Sequence, residues 1–251
     1  MHRNGDNIAM ELKGKRVVVT GAARELGRTL AICFAEQGAE VFVSARNLAQ
    51  AEQTRDEILK RGSKRVHAFH CDLSESSSIS EFANAVAKVT DTIDVLINNG
   101  AAWLSTDRFE DASDEEIVST ISSGSAGMVL MVKHFLPLLR KSPSPDIINM
   151  VSSSALPNDI GCEGHVAFYA SKGGQGRAAQ ILSHRMREEG IRVISLYPPK
   201  FENIDPYGSH WASHERSTKD QLSAQSIVDC VFFAVSQPRD CFIRAFEFES
   251  L

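Results

Sequence analysis

Residues 16–27 read Arg-Val-Val-Val-Thr-Gly-Ala-Ala-Arg-Glu-Leu-Gly, and this stretch decides the fold. The apolar run Val17–Val19 predicts a buried strand, and apolar residues at helical spacing across 30–35 predict a helix directly behind it. Gly21 permits a sharp turn between the two, while Gly27 permits close packing of the helix. Backbone N–H groups and the helix dipole at such a turn favour a pyrophosphate. Two glycines alone have an equally good structural explanation, but their place on the first strand-to-helix crossover favours nucleotide binding.

Strands and helices alternate along the rest of the chain. Further apolar runs predict strands at 41–43, 66–69, 93–97, 147–151, 192–196 and 241–248, with helices between them. Ser74 is predicted to cap one of these helices, and Ser113 with Glu116 predicts a capping box for a helix that reaches Leu139. Apolar strands separated by helices are typical of a parallel sheet covered on both faces. We therefore expect an α/β fold, a doubly wound Rossmann-type parallel sheet of about seven strands with helices on both faces.

Composition fits one soluble domain over residues 1–251, with an N-terminal extension at 1–14. The chain is 43% hydrophobic and 24% charged, and its net charge of -5 gives no basic excess for nucleic acid. Five cysteines without Cys-x-x-Cys spacing indicate a reducing, cytoplasmic setting. Neither a signal peptide nor a run near the ~20 apolar residues that span a bilayer is present. No membrane partner and no metal are predicted, because the histidines are dispersed.

The stretch Tyr169-Ala170-Ser171-Lys172 places a tyrosine and a lysine about one turn apart on a predicted helix. A nearby ammonium stabilises a phenolate, and this lowers the tyrosine pKa from its ordinary value of about 10. Such a pair is often a surface coincidence. Here it follows a strand and the serine run 152–154, which favours a catalytic site.

The order of these motifs resembles the short-chain dehydrogenase/reductase family from Lys15 to about Phe248. Five motifs carry the resemblance. The family's Thr-Gly-x-x-x-Gly-x-Gly turn matches Thr20, Gly21 and Gly27, its acidic residue after the third strand matches Asp72, and its Asn-Asn-Ala-Gly matches residues 98–101. Its Tyr-x-x-x-Lys matches Tyr169 and Lys172, and its serine after the fifth strand matches Ser152. Ser153 and Ser154 remain alternatives for that serine. Asp72 has the alternative explanation of a surface acid before a helix.

The resemblance implies an oxidoreductase that interconverts a carbonyl and an alcohol on a small molecule by hydride transfer with NADP(H). Ser152 would bind the substrate oxygen, Tyr169 would transfer its proton, and Lys172 would lower the tyrosine pKa and hold the nicotinamide ribose. The cofactor-binding residues that it implies are Gly21, Arg24, Leu26, Gly27, Arg46, Asp72, Leu73, Asn98, Gly100, Tyr169, Lys172 and Pro198. Relatives often form dimers or tetramers, so a homodimer or homotetramer is expected.

The choice of NADP(H) comes from the end of the second strand, Ser44-Ala45-Arg46. No acidic residue is present there to hold the 2′-hydroxyl of an NAD ribose. Arg46, together with Arg24, is suited to a 2′-phosphate, because a guanidinium matches phosphate geometry. The alternative is that both arginines are only solvated loop residues.

Three departures from the family pattern concern Glu25, Gly124 and Pro199. Glu25 stands at the middle glycine of the turn and is expected to pair with Arg24 or Arg46, or to weaken cofactor binding. Gly124 stands where a catalytic asparagine is usual. Pro199 replaces a glycine and stiffens the hinge before the substrate loop predicted at 200–220. An insertion within 156–165 also lengthens the serine-to-tyrosine interval.

The aromatic candidates for the substrate pocket are Trp103, His165, Phe201, Tyr207, His210, Trp211 and His214. They lie in loops expected on the active face, but they would equally cover the core or a subunit contact. Two rival functions stay open: a catalytically weak nucleotide-sensing or scaffold protein, and a lyase or epimerase with retained cofactor.

Overall fold

The structure is a computed structural model that describes residues 12–63, 65–105, 108–159, 161, 163–213 and 216–249. Most of the predicted N-terminal extension 1–14 lies outside the described residues. Its last part is packed rather than extended, because Leu12 is fully buried and the Gly14 N–H donates to the Gly38 carbonyl at 2.9 Å.

Seven parallel strands form the central sheet in the order β3-β2-β1-β4-β5-β6-β9, which confirms the predicted fold. The strands are Arg16–Thr20 (β1), Glu40–Ala45 (β2), Val66–His70 (β3), Val95–Asn98 (β4), Asp146–Met150 (β5), Arg192–Tyr197 (β6) and Ala245–Glu247 (β9), while Phe201–Glu202 (β7) and Leu222–Ser223 (β8) form a separate pair. The last strand is shorter than the predicted 241–248. Cys241 instead closes a turn onto Pro238, and its carbonyl accepts a bond from Arg192.

Helices cover both faces of the sheet. They are Glu25–Glu36 (α1), Leu48–Lys60 (α2), Ser76–Ala87 (α3), Asp114–Ile121 (α4), Gly127–Leu139 (α5), Val166–Arg185 (α6), Ser209–Ser213 (α7) and Ala224–Val235 (α8). Successive strand side chains point to opposite faces. Val17 and Val19 accordingly join one apolar core with α1, α2 and α8, while Val18 joins another with α3, α5 and α6.

Local sequence signals explain some helix boundaries and not others. The capping box predicted at Ser113 and Glu116 is present, with the serine hydroxyl accepting from the Glu116 N–H at 3.2 Å. The cap predicted at Ser74 is wrong. Residue Glu75 holds the N-cap position of α3 without a side-chain bond, because Ser74 is bonded to Asp72 instead.

A π-helical segment, Ser122–Ala126, joins α4 to α5 without a break. Gly124 and Gly127 therefore leave the helical path continuous, and Pro137 is accommodated inside α5. A π-helical turn re-aims the side chains that follow it and is frequent at functional sites.

Two absences apply to the described residues. No helix among them is long and apolar enough to cross a membrane. Nor does that part of the chain bring three or more histidine, cysteine or carboxylate side chains together in a group able to hold a metal ion.

Candidate active site

The turn after β1 is fixed to the end of β4. Gly21 has a φ of +63°, and a Cβ there would lie only 2.6 Å from the Gly100 Cα. A Cβ at Gly27 would run into the Gly21 carbonyl. The Thr20 hydroxyl accepts bonds from the N–H groups of Asn99 and Gly100, both at 3.0 Å. Contact therefore requires glycine at both positions, and at Gly21 the backbone conformation requires it as well.

Glu25 adopts a left-handed conformation with φ +50° at the first position of α1. Such a conformation is costly for a residue with a side chain. The expected pairing with Arg24 or Arg46 does not form, since Glu25 joins no ion pair within the described ranges. Its exposed carboxylate stands beside the turn that the sequence assigns to a pyrophosphate.

Unpartnered polar groups mark the carboxyl edge of the sheet. Ser44 Oγ, at the end of β2, and Asn98 Oδ1, at the end of β4, are buried without a hydrogen-bond partner. Arg24 comes directly before α1, and Arg46 comes directly after β2. Both side chains are exposed, and neither forms an ion pair with any described residue. Buried polar groups normally have partners. Orphaned oxygens and free guanidinium groups along this edge fit a dinucleotide with a phosphorylated ribose.

The other predicted cofactor contacts divide into surface and core positions. The Leu73 Cδ1 atom lies 2.7 Å from the place of a Gly100 Cβ, so this side chain covers the end of β4. Leu26 is only 5% exposed and its side chain packs in the core, so a ligand can contact only its backbone. Asp72 accepts two bonds from Ser74, at 2.9 and 2.7 Å, and so closes its own turn. The buried Pro198 carbonyl accepts the Ser153 N–H at 3.0 Å.

Ser152 has a strained backbone, with φ 145° and ψ 152°, in a region that only glycine populates readily. Its hydroxyl accepts the Ser154 N–H and donates to the Ser154 hydroxyl, both at 3.2 Å. Ser153 and Ser154 are buried, whereas Ser152 is partly exposed. Of the three candidate serines, Ser152 is therefore the one best able to meet a substrate.

Lys172 is buried in α6 and bonded inside the protein. Its ammonium donates to the Met150 carbonyl at 2.9 Å and to Gln175 Oε1 at 3.1 Å. Burial lowers the lysine pKa from 10.5 to about 8. The ring centroid of Phe168 lies 5.8 Å from Nζ, and this ring packs edge-on against Trp103 at 4.6 Å.

Tyr169 does not occupy the tyrosine position of the family motif. Tyr-x-x-x-Lys separates its two residues by four positions, whereas Tyr169 precedes Lys172 by three, so the position belongs to Phe168. The assignment to Tyr169 was wrong by one residue, which a count along the sequence reveals. Successive helical residues point about 100° apart, so Tyr169 does not share the direction of Phe168. A catalytic or cofactor role for Tyr169 stays a prediction.

Gly124 lies in the π-helical segment and is packed against α6. A Cβ at this position would run into Ser171 Oγ. That hydroxyl is buried without a partner, and the neighbouring Ser125 hydroxyl donates to the Ser171 carbonyl at 2.8 Å. The place of the family's asparagine is therefore filled by the facing helix.

Several predicted pocket residues have structural roles. His165 caps α6, since its Nδ1 accepts the Ala167 N–H at 3.1 Å and its Nε2 donates to the Phe109 carbonyl at 3.1 Å. Trp103 is 51% exposed beside Phe168 and remains available to a ligand. Phe201 is partly buried against the core, His210 is exposed, and His214 lies outside the described residues.

The predicted substrate loop is tied to α1 and α2 through its described residues. Asp205 accepts a bond from Arg28 at 3.3 Å. The Arg61 guanidinium lies 3.8 Å from the centroid of the Tyr207 ring, and burial raises the pKa of this tyrosine to about 12. Trp211 packs against the apolar core that contains α1, α2 and α8. These contacts join residues far apart in sequence and could not be foreseen from local patterns.

A cavity of about 370 Å³ lies at the opposite, amino-terminal edge of the sheet, lined by Arg16, Glu40 and residues 87–91. Within it, Arg16 forms ion pairs at 4.0 Å with Glu40 and with Asp91. It contains none of the glycine, serine or lysine residues described above.

Comparison with known proteins supports the same interpretation. The profile described as short chain dehydrogenase matches residues 15–204. An uncharacterized oxidoreductase of Bacillus subtilis, YxbG, is 31% identical over 191 residues, which cover 76% of this chain and 68% of that protein. D-threitol dehydrogenase of Mycolicibacterium smegmatis is 30% identical over 189 residues, covering 74% and 70%. The crystal structure of a metagenomic short-chain oxidoreductase in complex with NADP superposes with a TM-score of 0.78 and 25% identity, covering 94% of this chain and 97% of the other.

Proposed function

Since the chain belongs to the short-chain dehydrogenase family of oxidoreductases, we propose that it binds NADP(H) and interconverts a carbonyl and an alcohol on a small molecule. The observation that carries this proposal is the glycine turn fixed to β4, flanked by exposed Arg24 and Arg46. The solved relative holds NADP, which supports the phosphorylated form of the dinucleotide.

The bound nicotinamide would supply the hydride. Arg46 and Arg24 would hold the 2′-phosphate, while the backbone N–H groups of Gly21 and Gly27 would face the diphosphate. Lys172 carries three N–H donors and gives two of them to Met150 and Gln175, so its third is left for a ribose hydroxyl. Ser152 would donate a hydrogen bond to the substrate oxygen.

We propose a homodimer or homotetramer in the cytoplasm. Val118 on α4 and Val166 on α6 are both 62% exposed, and large exposed aliphatic side chains on neighbouring helices favour a contact between subunits. The described cysteines, Cys33, Cys71, Cys230 and Cys241, are all free, which suits a reducing compartment.

A second candidate function is nucleotide binding with little turnover. Phe168 favours it, because a phenyl ring at the tyrosine position of the motif has no proton to transfer. Gly124 favours it as well, since its place is closed by Ser171.

The test is a fluorescence titration of the protein with NADPH and NADH, followed by a panel of aldehydes and ketones monitored by nicotinamide absorbance. NADPH binding with reduction of at least one carbonyl supports the oxidoreductase. NADPH binding without any turnover supports the second candidate. Absence of binding to either dinucleotide contradicts both.

A further inference from the structure

Reduction of a carbonyl requires a proton as well as a hydride. The hydride forms a C–H bond at the carbonyl carbon, the π electron pair moves to oxygen, and that oxygen must then take a proton. In this chain the residue four positions before Lys172 is Phe168, whose ring lies 5.8 Å from the ammonium. A phenyl ring has no proton to give.

Other polar groups around this ring are already committed. Both ring nitrogens of His165 are used in capping α6 and in bonding Phe109. Lys172 is held by Met150 and Gln175. Gly124 has no side chain, and the facing Ser171 hydroxyl is sealed between two helices. Lys172 keeps one N–H, which the proposed function gives to a ribose hydroxyl, and none of the other groups offers an ionisable proton above the Phe168 ring.

We propose that Phe168 fills the place of the proton-transferring phenol and restricts this chain to slow carbonyl reduction in which water supplies the proton. Water gives its proton to the alkoxide oxygen and leaves as hydroxide, while the nicotinamide is oxidised and the carbonyl is reduced. This inference rests on the proposed function. It makes Phe168 the residue that sets the rate, and it gives Tyr169 no part in proton transfer.

The kinetic test compares Phe168→Tyr with the native chain. General acid catalysis by a positioned side chain contributes about 10²–10⁴-fold, so kcat should rise by about 100-fold or more with NADPH affinity unchanged. Phe233→Tyr is the matched control, because Phe233 is 52% exposed on α8, away from Lys172. Tyr169→Phe should change kcat less than threefold.

A second readout needs no substrate. The absorbance of phenolate is followed from pH 6 to 12 in each variant and in Phe168→Tyr/Lys172→Met. The tyrosine introduced at 168 should ionise below the ordinary value near 10, because its phenolate and the Lys172 ammonium would stabilise each other and keep the lysine protonated above its own pKa of about 8. The double variant should lose this early ionisation. The tyrosine introduced at 233 should titrate near 10.

Three results would overturn the inference. The first is a large loss of kcat in Tyr169→Phe. The second is early phenolate absorbance in the native chain that disappears in Tyr169→Phe, and this arm stands even if Phe168→Tyr does not fold. The third is a folded Phe168→Tyr variant that shows neither faster reduction nor early ionisation. Failure of the proposed function is separate, because it appears as absence of NADPH binding in the native chain.

Discussion

Ser171 Oγ lies where a side chain on Gly124 would begin. The two residues belong to facing helical segments, so room for a larger side chain at 124 depends on what residue 171 carries. We expect Gly124→Asn to lower the free energy of unfolding by about 1–3 kcal/mol through overpacking, rather than to restore a proton relay. Gly124→Asn combined with Ser171→Gly should recover most of that loss. Urea denaturation of the single and double variants measures the coupling, and additive effects would contradict the contact.

Glu25 should be a source of backbone strain. Glu25→Gly removes both the carboxylate and the cost of its φ of +50°, whereas Glu25→Ala removes the carboxylate alone. We expect the glycine variant to be more stable than the alanine variant by about 1 kcal/mol. Both variants should bind NADPH a few-fold more tightly, since an exposed negative charge beside the diphosphate is lost. Equal stability of the two variants would show that the strain is absent.

Ser152 allows the same separation of backbone from side chain. Ser152→Gly and Ser152→Ala both remove the hydroxyl and its bonds with Ser154. Only glycine relieves φ 145°, so the glycine variant should be about 1 kcal/mol more stable than the alanine variant. Turnover should fall in both by a similar factor. Thermal melting and carbonyl reduction are the measurements, and normal turnover in either variant would remove Ser152 from the site.

Lys172 should make stability depend on pH in a known direction. Burial lowers its pKa in the folded state from 10.5 to about 8, so between these values the unfolded chain binds more protons. The free energy of unfolding should therefore rise relative to Lys172→Met as the pH increases from about 8 to 10.5, by on the order of 3 kcal/mol. Below about pH 8 Lys172 is protonated in both the folded and the unfolded chain, so the full cost of burying its charge lowers the stability. Denaturation at pH 7 and 10 measures the change, with exposed Lys133→Met as the control; parallel stabilities would contradict it.

Arg46 should decide between NADPH and NADH. A hydrogen bond from a guanidinium to phosphate contributes about 1.5–3 kcal/mol, so Arg46→Ala should weaken NADPH by about ten- to a hundred-fold and leave NADH unchanged. Arg46→Asp should favour NADH. Arg24 is also exposed and would share the phosphate, so the double variant with Arg24→Ala should lose more. Equal affinity of the native chain for both dinucleotides, at physiological salt, would show that Arg46 is only a solvated loop residue.

The sheet could be predicted because its signals are local. Apolar runs such as Val17–Val19 and Ile147–Met150 bury side chains on both faces, and such runs separated by helical periodicity permit few other folds. The glycine turn was likewise predictable, since the positive φ of Gly21 is a local requirement of a sharp turn, whereas its contact with Gly100 is not local. The Ser74 cap was not, because the Asp72 carboxylate accepts the Ser74 hydroxyl and so holds that side chain away from the N–H groups of the helix.

The site was predictable only in part. Lys172 is predictable from its motif. Its predicted motif partner is Tyr169, but the position four residues before the lysine is Phe168. The left-handed conformation of Glu25 could not be predicted from the residue itself, because glutamate is common in helices; only the glycine that the family pattern has at this position indicated it. The capping role of His165 depends on Phe109, and the sealing of Gly124 depends on Ser171, so both arise from tertiary contacts.

The position of β1 inside the sheet, between β2 and β4, also affects how the chain is made. Val18 pairs with Phe42 on one side and with Leu96 on the other. Ribosomes add about 5–20 residues per second, so roughly 3 to 10 seconds separate the appearance of the first partner from that of the second. During that interval the nascent β1–β3 unit presents an unpaired apolar strand edge, the kind of surface that templates aggregation. We expect the yield of folded protein in a heterologous host to depend on how fast residues 43–96 are synthesised and on the chaperones present during that interval. The synthesis rate of any other part of the chain should matter less.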